Sequence, residues 1–277
     1  MLFRSSIPLV WYRMLLAVLF VLLYFLLKKK HFFIDRKSLV KFILTGTIIA
    51  LHWIAFFEAI KVSTVSIALV MMSTGAFFTS LLEPLFFKRR IKAFEILLGV
   101  LVVGCLYIIF NFETQYALGI FYALIASFLS AIFSVINGLY VKKNDAEVIS
   151  FYQLFFGVVF VSIFLFFTGG FTKAFFTLSN SDWFYLLILS SICTAYAFIV
   201  SVKVMKYLTP FTVILTMNLE PIYAILLALL VFGDKEKMKP EFYYGAFIVL
   251  IVVMLNGILK NRKAIHQKMK KNKKQKL

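Results

Sequence analysis

Acidic residues are scarce in this chain of 277 residues: 12 Asp and Glu stand against 30 Lys and Arg, a formal net charge of +18. Cysteine is nearly absent. Cys105 and Cys193 both lie inside apolar runs, where packing accounts for them and no disulfide framework is implied. Of three histidines, His52 alone falls within an apolar run, while His31 and His266 lie in basic segments. With no HExxH, GxSxG or acidic cluster, the inventory lacks the clustered ligands or nucleophile and base of an intramembrane enzyme. The lack of a GxxxxGK[ST] loop argues against ATP-driven work by this chain alone. Polar surface is also missing. Apolar residues make up 62% and the mean hydropathy is +0.96, against roughly 45–50% apolar in soluble domains. Water is not the main solvent of this chain.

What is present is a series of long apolar runs. A hydrocarbon core about 30 Å thick takes roughly 20 helical residues to cross. Nine runs qualify, near 7–27, 42–59, 65–87, 94–110, 117–141, 148–168, 183–202, 208–232 and 242–259. The first is too long for a signal-peptide core, and Lys28, Lys29 and Lys30 follow it instead of preceding it. Alternate loops divide the basic residues very unevenly. One set holds Lys28 to Lys30, Arg36, Lys37, Lys41, Lys88 to Arg90, Lys92, Lys142, Lys143, Lys203, Lys206 and the tail. The excess of positive charge marks the cytoplasmic side. This predicts an integral protein of the cytoplasmic membrane with its C-terminus inside. The tail, 261–277, reads as a disordered segment drawn to anionic lipid, and no nucleic-acid partner is expected.

The runs repeat. VWYRMLLAVLF around Trp11, Tyr12, Arg13, Ala17 and Phe20 aligns without gaps with SFYQLFFGVVF around Phe151, Tyr152, Gln153, Gly157 and Phe160. The stretch from Ala59, AIKVSTVSIALVMMSTGAFFTSLL, pairs with VMKYLTPFTVILTMNLEPIYAILL from Val204. The offset is roughly 140 to 146 residues throughout, and an odd number of spans per unit makes the halves inverted, as in many carriers. Expected, then, is an all-α membrane protein with nine visible spans from an inverted repeat of a five-helix unit. The halves are 1–112, with four spans, and 113–260, with five; a ten-helix fold lacking its first helix is the expectation.

The residues also resemble EamA-type members of the drug/metabolite transporter superfamily. The resemblance rests on NLEPIYAILLALLVFGDKEKMKPEFYYGAFIVLIVVMLNGIL in the second half and STGAFFTSLLEPLFFKRRIKAFEILLGVLVVGCLYII in the first. Pro221, Tyr223, Ala224, Gly233, Asp234 and Gly245 match the family pattern, while Asp234 replaces the usual Glu and Gly75 a usual Pro. It implies a transporter and covers essentially the whole chain.

A carboxylate at mid-membrane is the most expensive feature here, at roughly 2.5–3.5 kcal/mol if charged, and must be protonated, paired or facing water. Glu220 is that residue, and Pro221 after it is read as a helix break leaving a carbonyl near Met217 unmet. Thr212, Thr216, Glu220 and Tyr223 share one face by spacing, either a substrate-binding or proton-accepting stripe or a neutral carboxyl at a kink. His52 and Trp53 sit near mid-depth, with core packing the plainer reading, and Tyr196 in the equivalent second-half helix is their partner candidate. Ser127, Ser130, Ser134 and Asn137 form a polar line on one helix, with Asn137 best placed to touch solute. Ser66, Ser73 and Ser80 form another. Arg13 serves as an anchor or attracts a substrate anion. Glu83 reads as a solvated ion pair with Lys88 and Arg89.

The expected function is secondary transport by alternating access, in the export direction, of a small metabolite or amino-acid-like solute. The expected site comprises Glu220, Tyr223, Thr216, His52, Trp53, Tyr196, Asn137 and Ser73. Proton coupling through Glu220 is an addition to that reading. No cofactor, metal site or catalytic residue is expected, and oligomeric state is not readable. The alternatives are an inactive or interaction-only membrane subunit and an intramembrane enzyme.

Overall fold

The computed structural model describes residues 6–29, 34–88, 113–217 and 220–233, the segments 240–244 and 246–248, and positions 97, 104, 251, 254 and 255. Among the described residues the secondary structure is helical, with no strand. The helices are α1 (Ser6–Lys28), α2 (Arg36–Val62), α3 (Val65–Met72), α4 (Gly75–Phe86), α5 (Ala117–Tyr140) and α6 (Ala146–Phe167). They continue with α7 (Lys173–Phe176), α8 (Asn180–Ser190), a π-helical turn (Ser191–Tyr196), α9 (Ala197–Val204), α10 (Pro210–Met217) and α11 (Glu220–Phe232). Among the described residues, six stretches are long and apolar enough to cross a bilayer: Ser6–Lys28, Arg36–Val62, Val65–Phe86, Thr114–Tyr140, Ala146–Phe167 and Asn180–Val204. All but positions 97 and 104 of the expected span at 94–110, and half of that at 242–259, lie outside the described residues, and the span at 208–232 is seen as α10 and α11 on either side of residues 218 and 219, which are not described.

Local chemistry sets the helix starts. Asp35 caps α2 by accepting from Ser38 N at 3.2 Å, and hydrogen bonds from Ser38 hold its carboxyl below the ordinary aspartate range. Ser179 and Asp182 form a capping box at α8. Thr64 and Thr209 open α3 and α10 in the same way, accepting from Ile67 N at 3.2 Å and Thr212 N at 3.3 Å. Those two helices start at matching positions of the repeat, each behind its own threonine cap. The duplication in sequence is therefore a duplication of local structure.

The halves are also inverted. Trp11 Nε1 donates to Ser162 Oγ at 2.7 Å near one end of the α1–α6 pair, and the Phe25 and Phe151 rings meet at 5.7 Å near the other. As numbering rises along α1 it falls along α6, so these repeat mates pack antiparallel. Helix α2 lies at the centre of the bundle, packing extensively on α5 and α6. Small residues permit it: a Cβ on Gly46 would meet the Gln153 carbonyl oxygen and Gly157 N, and one on Gly119 would collide with Ser63. Without a hydrophobic drive between helices in lipid, such close backbone approach is a main source of association. Large apolar side chains such as Leu26, Phe166, Phe167 and Leu230 point outward, as lipid allows. One apolar cluster of Phe42, Val141, Ala146, Ile149, Val202, Met205 and Val213 sits at the end of the bundle where Lys41, Lys142, Lys143 and Lys206 emerge.

Gly46→Ala is expected to destabilise the fold by about 1–3 kcal/mol, the range for overpacking a tight contact. Leu230→Ala, on an outward face, should leave the thermal midpoint nearly unchanged. Thermal unfolding of both variants in the same detergent checks the contrast.

Candidate functional site

Between the two halves lies a cavity of about 380 Å³. Helix α1 contributes Arg13; α2 contributes His52, Trp53 and Phe56; α5 contributes Ser130, Phe133, Ser134 and Asn137. The rest of the second half adds Cys193 and Thr194 of the π turn, Phe198 and Ser201 of α9, Met217 of α10 and Glu220 of α11.

Arg13 dominates its chemistry. Its Nε donates to Thr194 Oγ1 at 2.6 Å, and its Cζ stands 4.1 Å from the Trp53 ring centroid and 5.7 Å from that of Phe57. A guanidinium over an aromatic face gains roughly 0.5–2 kcal/mol, more when shielded from water. The Thr194 hydroxyl accepts from Arg13 and donates to the Leu189 carbonyl at 2.7 Å, five residues back along the helix. That longer reach belongs to the π turn, a local widening common at functional positions. Glu220 lies within electrostatic reach of Arg13.

His52 is buried and its Nδ1–H donates to the Ala126 carbonyl at 2.7 Å. That fixes the ring and leaves Nε2 as the second polar atom, with Phe133 edge-on at 5.4 Å. Ser73 is fully buried, donates to the Leu69 carbonyl at 3.3 Å and stands in the cavity wall at the interruption between α3 and α4. The polar line on α5 divides in two. Ser127 is spent on packing, bonded to Thr74 Oγ1 at 2.9 Å and to the Met72 carbonyl at 3.3 Å, whereas Ser130, Ser134 and Asn137 line the cavity.

Glu220, His52, Trp53, Asn137 and Ser73 thus come together around one space, joined by Arg13. Three other candidates do not join its lining. Tyr196 and Tyr223 are 67% and 66% exposed. Thr216 is also exposed and donates to the Thr212 carbonyl at 3.0 Å. The expected helix break before Pro221 falls on residues 218 and 219, which lie outside the described residues. Glu83 needs correction: it is 6% exposed, not solvated, and its Oε2 accepts from Phe211 N at 3.2 Å at the start of α10. Pro210 has no N–H and Thr209 serves Thr212, so the donor of Phe211 needs an acceptor from elsewhere, and α4 supplies it.

Sequence reasoning missed Thr194, Cys193 and Gln153. Gln153 had a signal: in the repeat alignment it occupies the position of Arg13, a polar residue within an apolar run on both helices. It is 0% exposed, and its Nε2 donates to Asn137 Oδ1 at 2.6 Å and to Thr45 Oγ1 at 2.9 Å.

An inverted pair of helical units around a small cavity of mixed charge is the architecture of a membrane carrier for small solutes. A model of the EamA-like transporter family matches residues 2–111 and 117–258, and the chain belongs to that family. A search of the curated proteins gives no match. Among solved structures, one described only as a protein crystal structure matches with a TM-score of 0.67 and 12% identity, over 92% of this chain and 88% of that one. At such low identity the likeness concerns the fold alone.

A double-mutant cycle with Arg13→Met and Trp53→Leu should return a coupling of about 0.5–2 kcal/mol in unfolding free energy, the value of a cation over a ring. Additive effects in detergent unfolding would show the two side chains to be merely adjacent.

Proposed function

We propose that the chain is a secondary carrier that exports a small zwitterionic, amino-acid-like solute across the cytoplasmic membrane by alternating access. The observation that carries this reading is the presence of Arg13 and Glu220, opposite in charge, on the wall of one cavity of about 380 Å³. That size falls at the small end of ligand pockets, roughly 300–1,000 Å³. The guanidinium offers a planar fork of donors to a solute carboxylate. Glu220 offers an acceptor for an ammonium group. Phe56, Phe133 and Phe198 surround the space between with apolar surface.

Orientation follows from charge. Lys28, Lys41, Lys142, Lys143, Lys203 and Lys206 leave the membrane at one end of the bundle, and that end, with the basic tail, faces the cytoplasm. Two halves, 1–112 and 113–260, rock about the cavity. The tail, 261–277, meets anionic lipid. Glu220 couples the cycle to protons by exchanging one when solute leaves.

Proteoliposome counterflow with labelled amino acids tests the assignment. Loss of a charge-assisted hydrogen bond removes about 1.5–3 kcal/mol, so Arg13→Ala should weaken solute affinity roughly ten- to hundredfold. Equal transport of an amino acid and its uncharged amide would end the zwitterion reading, and inverted vesicles report direction. Glu220→Gln should abolish stimulation by a pH gradient; unchanged stimulation would remove proton coupling and leave the carrier assignment standing.

A further inference from the structure

At the far end of the cavity from Arg13, three side chains from three helices meet in a buried polar layer. Gln153 of α6 donates through Nε2 to Asn137 Oδ1 on α5 at 2.6 Å and to Thr45 Oγ1 on α2 at 2.9 Å. Thr45 in turn donates to the Lys41 carbonyl at 2.9 Å. Asn137 lines the cavity, and all three residues are 0–1% exposed. The layer is close to the basic end. Asn137 lies in the last turn of α5, and the apolar cluster that includes Phe42, Val141, Ile149 and Met205 lies at that same end. Along α5, Ala126, whose carbonyl holds His52, and Asn137 are separated by about 16 Å at 1.5 Å per residue.

Two polar atoms in this layer are unmet. Asn137 Nδ2 and Gln153 Oε1 are buried without a hydrogen-bond partner. Two amides can face each other with two reciprocal bonds, and here one is made. Exchanging O and N in both amides would still leave one donor and one acceptor over, so the shortfall does not depend on how they are assigned. A layer serving only to pack helices together would be better built from apolar side chains, since a half-satisfied buried network is inferior to none. Half-made bonds suit a contact that must open.

The repeat gives the layer a counterpart. Gln153 and Arg13 are mates, as are α2 and the α8–α9 unit. From α1, Arg13 reaches a threonine of that unit, Thr194; from α6, Gln153 reaches a threonine of α2, Thr45. Equivalent positions of the inverted halves therefore bridge the two ends of one cavity, with a guanidinium at one and a neutral amide at the other.

We infer that Thr45, Asn137 and Gln153 form the gate that closes the cytoplasmic end of the cavity, opening when the Gln153–Asn137 bond parts. The inference rests on the carrier reading and its orientation. Asn137 and Gln153 are positioning residues: they control access to the cavity and need not hold the solute.

Cys193 is a native reporter, since it is exposed and lines the cavity. With Cys105→Ala as background, a membrane-impermeant maleimide is applied to the cytoplasmic face in inverted vesicles and to the outer face in right-side-out ones. The gate predicts slow labelling from the cytoplasmic face. Asn137→Ala and Gln153→Ala should each raise that rate about tenfold, the population shift expected from one lost hydrogen bond, with outer-face labelling unchanged. The double variant should label no faster than the faster single one. Thr45→Val, nearly the same shape, should give a smaller rise and keeps the test open if an alanine variant fails to fold. No cytoplasmic rise in any folded variant, or equal rises from both faces, overturns the gate. Neither result bears on which solute is carried, because labelling needs no solute; a failed counterflow assay with intact side-specific labelling would instead remove the zwitterion assignment alone.

Discussion

In hydrocarbon every backbone N–H and C=O must find a partner within the protein, and this constraint decides where the chain can depart from regular α-helix. The departures among the described residues gather at one place. The interruption between α3 and α4 puts Ser73 on the cavity wall, and the π turn puts Cys193 and Thr194 there. Each irregularity has its free groups met by protein: Thr74 Oγ1 donates to the Met71 carbonyl and Thr194 Oγ1 to the Leu189 carbonyl, both at 2.7 Å. The polar site and the broken helices are thus one feature with one cause. Irregular backbone is tolerated only where protein or water can satisfy it, and a cavity at mid-depth is such a place.

The same constraint orders the charges. Arg13 is tied on one side by Thr194 and covered on another by Trp53, which replaces part of its lost hydration without neutralising it. Glu220 is the opposite charge within reach. Close ion pairs in a buried setting are self-satisfied, whereas charges that face each other across a cavity keep capacity for a third partner. Retaining such charges costs stability, as expected where polar groups serve a function in a membrane.

Much of the fold was legible in sequence, because the lipid constraint writes itself as apolar runs and the duplication as a fixed offset. The antiparallel packing of α1 on α6 follows from an odd number of spans per unit. The site was legible only in part, for reasons of helical phase. Thr216, Glu220 and Tyr223 share a face by spacing, yet only Glu220 lines the cavity while Thr216 and Tyr223 are exposed, so a shared face is too coarse to select cavity-lining residues. Tyr196 closes a π turn, whose wider pitch shifts the following side chains off the expected face. His52 and Trp53 lie in the unbroken α2, and there periodicity places both on the cavity wall. Glu83 looked solvated because its sequence neighbours are cationic; it is buried, and it accepts from a backbone donor on a helix far along the chain.

The equivalence of Arg13 and Gln153 bears on how the two states of an inverted repeat can differ in energy. Were the two halves identical, exchanging their conformations would give two states of equal energy, and nothing in the protein would favour one side of the membrane. Here the mates differ: a charged bridge to Thr194 at one end, a neutral amide bridge to Thr45 at the other. Parting the neutral bridge exposes an amide, which water solvates modestly. Parting the charged one exposes a guanidinium, whose interactions are stronger and more dependent on what replaces them. A solute carboxylate is such a replacement and water is a poorer one in a confined space. On the proposed carrier reading, the asymmetry ties opening at the guanidinium end to occupancy more than opening at the amide end, which sets how the two states are populated, while the gradients of solute and proton set the direction of net flow.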